Sequence, residues 1–222
     1  GAVFHVDAIQ AYGKVMIRPK QQGIDLLSVS SHKFHGPKGA GFLYCSSKVN
    51  LHQIIFGGGQ QSGMRSGTEN VPGAAGMGLA VQLAYQNFEQ KKAHLNELRR
   101  YFLEGIHKLD DVSINGWDET ADGEECIDKR APHIVSVSFT GVRSEVLLNA
   151  LSDRGIYVSS GSACSSNHPA LSSTLQAIGL DKKLIEGTLR FSFCENTTKE
   201  ELDQALKALQ ELLPMLRRYT RR

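Results

Sequence analysis

Short apolar runs that end in polar residues alternate with glycine-rich turns along the first third of the chain. The runs "AVFHVDA" and "IDLLSVSS" contain β-branched residues and stop at polar side chains, which is typical of buried strands. A third run, "GAGFLYC", follows the turn "GPKG". Because these runs are apolar throughout rather than alternating, they predict a sheet that is covered on both faces.

The rest of the chain mixes helical and extended patterns. From about residue 71 to residue 109 apolar residues recur every three to four positions, which predicts one long helix or two in succession. The segments "HIVSVSF" and "IYVSS" predict strands, and "SEVLLNALSDRG" between them predicts a helix that ends at Gly155. A last amphipathic helix is predicted from the pattern after Thr198, which is spaced from Glu201 as a capping box. This order predicts an α/β fold with a small α/β domain after about residue 90.

Composition and charge narrow the classes of function. The 222 residues are 41% hydrophobic and 22% charged, as in ordinary globular proteins, and the net charge of +2 gives no sign of a nucleic-acid partner. No apolar stretch approaches the roughly 18 residues of a membrane span, and no signal-peptide pattern opens the chain. The four cysteines are too scattered for a disulfide scaffold, which favours a cytoplasmic compartment. The histidines have no ligand spacing, so no metal site is predicted.

Candidate chemistry lies where two predicted strands end. Lys33 follows Ser30 and His32, and a lysine that forms a Schiff base needs such a fixed position at the end of a rigid element. The alternative is an ordinary surface lysine. Asp7 ends the first apolar run, with Gln10 one turn beyond. Its carboxylate could keep a pyridinium nitrogen protonated, or it could cap a helix.

Two further residues suggest substrate chemistry. In "SGSACSS", Cys164 has almost no apolar neighbours, so it is a candidate reactive thiol on an exposed loop. Cys45 and Cys194 flank apolar runs, and they fit the usual role of a free cysteine as a small buried hydrophobe. Arg190 interrupts the strand "LRFSF", where its charge needs an anion. A substrate carboxylate and a structural salt bridge are both compatible with this position.

Five segments in this order resemble the cysteine desulfurases of the NifS/IscS type: "HVDAIQAYGK", "SSHKFHGPKGAGFLY", "GGGQQSGMRSGTENV", "SSGSACSS" and "LRFSF…TTKEELD". These enzymes are pyridoxal-phosphate-dependent members of the class V aminotransferase family, and the resemblance extends over essentially the whole chain. It implies the α/β fold of aspartate aminotransferase, known as fold type I. Residues 1–90 would form the C-terminal part of the cofactor-binding large domain, and residues 91–222 the small C-terminal domain with the catalytic-cysteine loop.

Carried over by position, the resemblance assigns five residues of the first part to the cofactor, pyridoxal 5'-phosphate. Lys33 would bind it covalently and later act as the base for the substrate Cα proton. Asp7 would pair with the pyridine nitrogen, and Gln10 would reach the ring hydroxyl. Ser30 and His32 would hold the phosphate.

The resemblance also assigns three residues to the partner subunit and to the substrate. Thr68 would contact the phosphate in the site of the other subunit, which implies a homodimer. Arg190 would bind the carboxylate of L-cysteine. Cys164 would attack the substrate sulfur, release L-alanine and keep the sulfur as a persulfide for a sulfur acceptor or scaffold protein of iron-sulfur cluster assembly. Ala163 stands where the short-loop group of the family has a histidine, so the long-loop group is the nearer one.

Members of the family run to nearly twice this length, so the sequence resembles their C-terminal portion. The family's glycine/threonine phosphate loop and ring-stacking histidine have no counterpart in it. We therefore expect this chain alone to bind pyridoxal phosphate weakly and to turn over poorly. Two alternatives remain: another class V enzyme, such as a selenocysteine lyase or an aminotransferase, and a non-catalytic fragment that keeps the acceptor-docking surface.

Overall fold

The computed structural model describes residues 1–116, 130–160 and 172–220 of the chain. It divides into two compact units, Gly1–Phe88 and Glu89–Arg222. The division lies close to the boundary predicted after residue 90, and the roles assigned to the two parts stay predictions. The segment that contains Cys164 and the acidic loop that contains Cys126 lie outside the described residues.

The first unit contains a three-stranded sheet in the order β1-β2-β3. Strand β1 (His5–Asp7) runs parallel to β2 (Leu26–Ser30), and β3 (Gly41–Cys45) pairs antiparallel with β2. A short helix, α1 (Pro19–Gln22), lies between β1 and β2 in the chain, and α2 (Val71–Tyr85) follows the glycine-rich loop. Asn70 begins α2, because its side-chain oxygen accepts a hydrogen bond from the Gly73 amide at 3.0 Å.

The two faces of this sheet differ. On one face Leu27 and Val29 are buried in a core that also contains Phe34 and residues of α2. On the other face the register places Asp7, Ser28 and Leu43 in one row, and Leu43 is 50% exposed. The predicted cover on both faces is therefore wrong for the described residues, because α2 packs on one side alone.

The second unit combines an antiparallel sheet, in the order β4-β5-β7-β6, with helices on one side. Its described elements are, in chain order, α3 (Phe88–Ile106), β4 (Val112–Asn115), β5 (Ile134–Phe139), α4 (Ser144–Ser152), β6 (Ser159–Ser160), α5 (Ser173–Ala177), α6 (Lys182–Glu186), β7 (Thr188–Ser192) and α7 (Lys199–Thr220). Helix α3 begins at the last residue of the first unit.

The second sheet also has an apolar face and a polar face. Val137 and Leu189 are fully buried in one core with Phe102 of α3, Leu147 of α4 and Leu209 of α7. Because side chains alternate along a strand, the neighbouring residues lie on the opposite face. These residues are predominantly polar: Ser113, Asn115, Ser136, Ser138, Ser159, Thr188 and Arg190. Arg190 thus lies on a sheet face that is rich in hydroxyl groups.

Several predicted elements differ in extent from the observed ones. The helical region near residues 71–109 consists of two helices, since the chain turns between them at Asn87, where φ is 53°. The run "IYVSS" pairs through Ser159 and Ser160 alone, and α4 ends at Ser152, ahead of the predicted Gly155. Cys45 was expected to be buried, but it is exposed because it lies on the outward face of β3.

Candidate active site

The parallel pairing of β1 and β2 brings the predicted cofactor residues of the first unit to one edge of the sheet. Asp7 ends β1 beside Ser28 of β2, and β2 continues to Ser30. A turn of 3-10 helix, Ser31–Phe34, follows at once and contains His32 and Lys33. Since the carboxyl ends of parallel strands meet at one edge, the acid, the hydroxyl group and the amine share this edge.

Anchors at both ends of the turn hold it in place. The Ser31 amide donates to the carbonyl of Ala40 at 3.0 Å, and the buried Ser31 hydroxyl donates to the Pro37 carbonyl. The Phe34 ring is 2% exposed and packs at 5.3 Å from the Tyr12 ring. Lys33 lies between these anchors and is exposed. The fold therefore presents the amine on a fixed backbone.

Asp7 also organises the backbone that follows β1. Its Oδ1 accepts a hydrogen bond from the Ile9 amide at 3.0 Å and closes an Asx turn. The alternative interpretation as a helix cap is wrong, because the next helix in the described chain begins at Pro19. No described residue bonds to Oδ2. Gln10 lies exposed in the same turn. This bond fixes the carboxylate and leaves its second oxygen for a ligand, so the Asx turn is compatible with the predicted contact to a pyridinium nitrogen.

The donor set at this edge fits pyridoxal phosphate. An aldehyde requires an amine, which Lys33 supplies, and a pyridinium nitrogen requires a carboxylate, which Asp7 supplies. The hydroxyl of Ser30 and the ring of His32 are the kind of groups that bind phosphate oxygens. All four side chains are exposed or half-buried at the end of rigid strands. These residues therefore offer a suitable partner for the aldehyde, for the ring nitrogen and for some of the phosphate oxygens of the cofactor.

Thr68 lies in the loop that precedes α2. It is exposed and lines a shallow cavity of about 560 Å³ with Gln60, Glu69 and Val71. The structure gives Thr68 no hydrogen bond to the described residues at the β1–β2 edge. The predicted contact with a second subunit therefore stays a prediction.

Arg190 occupies the centre of a polar row that crosses the second sheet. The register aligns Asn115 of β4, Ser136 of β5, Arg190 of β7 and Ser159 of β6. The Arg190 Nη2 donates to the Ser159 hydroxyl at 3.2 Å. The Nε atom is buried and has no hydrogen-bond partner in the part of the chain that the structure describes. The half-buried guanidinium of Arg190 is thus hydrogen-bonded to a neutral hydroxyl group and lies in a row of neutral side chains.

This arrangement distinguishes between the two interpretations of Arg190. Among the described residues no carboxylate forms an ion pair with Arg190. Removing a cation from water without an anion is unfavourable, and a buried N–H without an acceptor adds to this cost. The site therefore favours an external carboxylate over a structural salt bridge.

Two contacts of the site were not predicted from the sequence. Ser159 bonds to Arg190, and the His5 ring nitrogen Nε2 lies 2.8 Å from the Ser28 hydroxyl. The signal for Ser159 was present, because "IYVSS" is an apolar run that ends in hydroxyl groups, like the run before Lys33. The cross-strand register that pairs it with Arg190 is not visible in the sequence.

The described residues contain neither a cluster of metal ligands nor a helix that could span a membrane. In residues 1–116, 130–160 and 172–220 no three or more His, Cys, Asp or Glu side chains gather as they would around a metal ion. Over the same ranges, every helix is too short or too polar to cross a lipid bilayer.

Comparisons with known proteins agree on one family. Residues 1–205 match the family described as "Aminotransferase class-V". The cysteine desulfurase IscS of Dictyoglomus turgidum is 40% identical over 215 residues, which are 96% of this chain and 52% of that protein. A cysteine desulfurase of a Nostoc species is 37% identical over 220 residues, which are 98% of this chain and 52% of that protein. The chain spans about half the length of the curated relatives that it matches.

Solved structures show the same likeness. A protein titled "NifS-like protein" superposes with a TM-score of 0.81 at 36% identity, over 96% of this chain and 52% of that one. The cysteine desulfurase of Thermococcus onnurineus NA1, solved without ligand, superposes with a TM-score of 0.80 at 24% identity, over 97% of this chain and 53% of that one. The second match concerns the fold alone. Together these matches confirm the predicted fold class and the resemblance to cysteine desulfurases.

Proposed function

The chain belongs to the aminotransferase class-V family, and on that premise we propose that the protein is a pyridoxal-phosphate-dependent cysteine desulfurase. It removes sulfur from L-cysteine and releases L-alanine. The observation that carries the proposal is the edge where two parallel strands end together, because Asp7 is the last residue of β1 and Lys33 lies in the turn directly after β2. The relatives named as cysteine desulfurases support the choice of substrate within the family.

In this proposal the first unit holds the cofactor and moves the proton. Pyridoxal phosphate is bound by Lys33, Asp7, Gln10, Ser30 and His32. When bound, the cofactor withdraws electrons from the substrate Cα. Asp7 keeps the ring nitrogen protonated through its second carboxylate oxygen. The Lys33 amine removes the proton from Cα, which requires an amine on a fixed backbone with freedom at its tip. The anchored turn with an exposed Lys33 meets both needs.

Arg190 and Cys164 act on the substrate itself. Arg190 binds the carboxylate of L-cysteine, which supplies an anion that no described residue provides to its half-buried guanidinium. The Cys164 thiolate attacks the substrate sulfur, so a sulfur–sulfur bond forms while the Cβ–sulfur bond breaks. The electron pair of the broken bond goes to Cβ, which then takes up a proton, and L-alanine leaves. The sulfur stays on Cys164 as a persulfide.

One experiment tests the proposal. The protein at its full natural length, as distinct from residues 1–222 alone, is incubated with pyridoxal phosphate and L-cysteine, and alanine release is measured together with the mass of the peptide that contains Cys164. We expect alanine release and a persulfide on Cys164. Lys33→Ala should abolish both signals, and Cys164→Ser should abolish them without loss of cofactor binding. Cys45→Ser, at an exposed thiol outside the proposed machinery, is the matched control and should leave both unchanged.

The same experiment separates the alternatives. If Cys164→Ser still releases alanine from L-cysteine, the desulfurase assignment is wrong, and alanine release from selenocysteine by the same variant would favour a selenocysteine lyase. If the unmodified protein converts L-cysteine to its keto acid and releases no alanine, an aminotransferase is the better assignment. If the intact protein binds neither pyridoxal phosphate nor L-cysteine but retains a sulfur-acceptor protein, it is a non-catalytic docking module.

We also propose that the protein is a homodimer in which Thr68 contacts the cofactor phosphate of the second copy. Three side chains near the glycine-rich loop support an interface, because Ile54 is 87%, Phe56 78% and Met64 40% exposed. Sedimentation equilibrium should give twice the mass of one chain. Phe56→Asp should shift the equilibrium towards the monomer, and Tyr219→Asp, at another exposed ring, should not.

The final destination of the sulfur is an acceptor or scaffold protein of iron-sulfur cluster assembly, as the names of the relatives suggest. We place this transfer in the cytoplasm, because the Cys164 thiol must be kept reduced in order to attack the next substrate sulfur. The free thiols of Cys45 and Cys194 are compatible with such a compartment.

A further inference from the structure

We infer that Ser159 is the positioning residue that orients Arg190 for a substrate carboxylate. The inference rests on the proposed function for the identity of the substrate, and its geometric basis lies entirely in the second unit. Among the described residues, Ser159 is the one that accepts a hydrogen bond from the Arg190 guanidinium, and the bond from Nη2 is 3.2 Å long. Nothing in the reaction itself requires a serine at this position.

The neighbours of Arg190 in the polar row are engaged elsewhere. Asn115 Nδ2 donates to the Ser136 hydroxyl at 3.2 Å and to the Ser138 hydroxyl at 2.9 Å. Ser138 also lies 2.8 Å from the Thr188 hydroxyl. These hydroxyl groups form their own network on the β4 side of Arg190. Orientation of the guanidinium therefore depends on the β6 side, where Ser159 lies.

Strand β6 holds Ser159 in a fixed position, even though the described strand is only two residues long. Ser159 pairs with Arg190 and Ser160 pairs with Leu189, so the serine is fixed directly beside the arginine. Ile156 and Val158, just ahead of it, pack against the main core of the unit. The backbone of Ser159 is thus set by packing, and its hydroxyl can hold a long side chain in one orientation.

A fixed orientation matters for carboxylate recognition. A guanidinium binds a carboxylate best through two parallel hydrogen bonds, which require its plane to face the ligand. A free arginine side chain loses rotamer entropy when a ligand fixes it in one orientation. A bond from Nη2 to Ser159 removes part of that freedom before the ligand arrives. It leaves Nη1, to which no described residue bonds, available for the carboxylate.

The test uses a matched pair of ligands and three variants of the intact protein loaded with pyridoxal phosphate. L-Alanine carries the carboxylate, and L-alaninamide replaces it by a neutral amide of the same shape. Binding of each is measured by calorimetry. Ser159→Ala removes the hydroxyl, Ser159→Thr keeps it, and Ser160→Ala alters the next residue, whose side chain lies on the opposite face.

We expect Ser159→Ala to weaken L-alanine binding about tenfold, the effect of losing one hydrogen bond to a charged group. Binding of L-alaninamide should be unchanged, Ser159→Thr should restore the affinity, and Ser160→Ala should resemble the unmodified protein. In turnover, the KM for L-cysteine should rise in Ser159→Ala while kcat changes less than twofold.

Other results would overturn the inference. Equal weakening of both ligands would mean that Ser159 has a structural role, and unchanged L-alanine binding in Ser159→Ala would mean that Arg190 is oriented by other groups. In both cases alanine release from L-cysteine by the unmodified protein keeps the proposed function intact. If the unmodified protein binds no L-alanine and releases none from L-cysteine, the proposed function fails and the inference fails with it.

Discussion

Thr198 and Glu201 bond to each other's backbone at the start of α7. The Thr198 amide donates to Glu201 Oε2 at 2.9 Å, and the Glu201 amide donates to the Thr198 hydroxyl at 3.3 Å. Two amide groups that the helix itself cannot satisfy are thereby paired. Because α7 contributes Leu209 and its neighbours to the core of the second unit, this cap stabilises more than one helix end.

The first prediction concerns this cap. Thr198→Ala removes the acceptor for the Glu201 amide, so we expect the free energy of unfolding to fall by about 1 kcal/mol. Urea unfolding, followed by circular dichroism, measures the change. Gln210→Ala, at an exposed position in the interior of the same helix, is the control and should show no loss. Equal losses in both variants would contradict the role of the cap.

The second prediction concerns the turn that presents Lys33. A Cβ atom on residue 36 would lie 2.8 Å from Ser31 Cβ and 3.2 Å from Ala80 Cβ. Gly36→Ala should therefore displace the anchored turn and lower the free energy of unfolding by about 1–3 kcal/mol. Gly78→Ala is the control, because nothing lies within 4 Å of its Cβ and helical alanine is favourable. Thermal unfolding of both variants would show whether the contact matters.

The third prediction separates charge from geometry at Arg190. Arg190→Lys keeps the charge but loses the planar donor set that binds a carboxylate through two bonds. We expect the KM for L-cysteine to rise about tenfold or more, with a smaller effect on kcat. Arg143→Lys, at an exposed position, is the control. A KM for Arg190→Lys within twofold of the unmodified value would show that charge alone suffices.

The fourth prediction concerns stability at alkaline pH. The Tyr101 hydroxyl donates to Asp203 Oδ1 at 2.6 Å. This bond, with smaller effects of burial and nearby acids, raises the pKa of Tyr101 above its usual 10.0. The folded protein holds the proton more tightly than the unfolded chain. Its contribution to stability is therefore fully present below pH 10 and is lost as the pH rises through the folded-state pKa.

Tyr101→Phe should accordingly make the stability less dependent on pH in the alkaline range above pH 10. Urea midpoints at a series of pH values measure this slope for the variant and for the unmodified protein. Tyr219→Phe, at a ring that is 80% exposed, should leave the slope unchanged. A slope for Tyr101→Phe that matches the unmodified protein would contradict the assignment.

Local patterns predicted those parts of the fold that depend on local chemistry. The capping pair Thr198 and Glu201 is confirmed, because both partners lie within one helical turn. The strand Ile134–Phe139 is confirmed as a fully apolar face alternating with serines. Strand β4 (Val112–Asn115) was missed, because a short edge strand next to a polar network carries little apolar signal.

Contacts between residues far apart in the chain could not be predicted from local sequence patterns. The exposure of Cys45 depends on which face of β3 packs against α2, and the bond between Ser159 and Arg190 depends on a register across strands 31 residues apart. The edge that joins Asp7 to Lys33 was anticipated through the family resemblance, since the residues alone left a surface lysine and a helix cap as alternatives.

The neutral surroundings of Arg190 also affect how the protein is handled in the laboratory. If Arg190 binds the substrate carboxylate as proposed, acetate or formate in a buffer is expected to compete with L-cysteine for the same guanidinium, because no carboxylate among the described residues pairs with it. The apparent KM for L-cysteine in such buffers would increase linearly with the anion concentration. The same anions would raise the melting temperature of the folded protein, because they bind the native state alone.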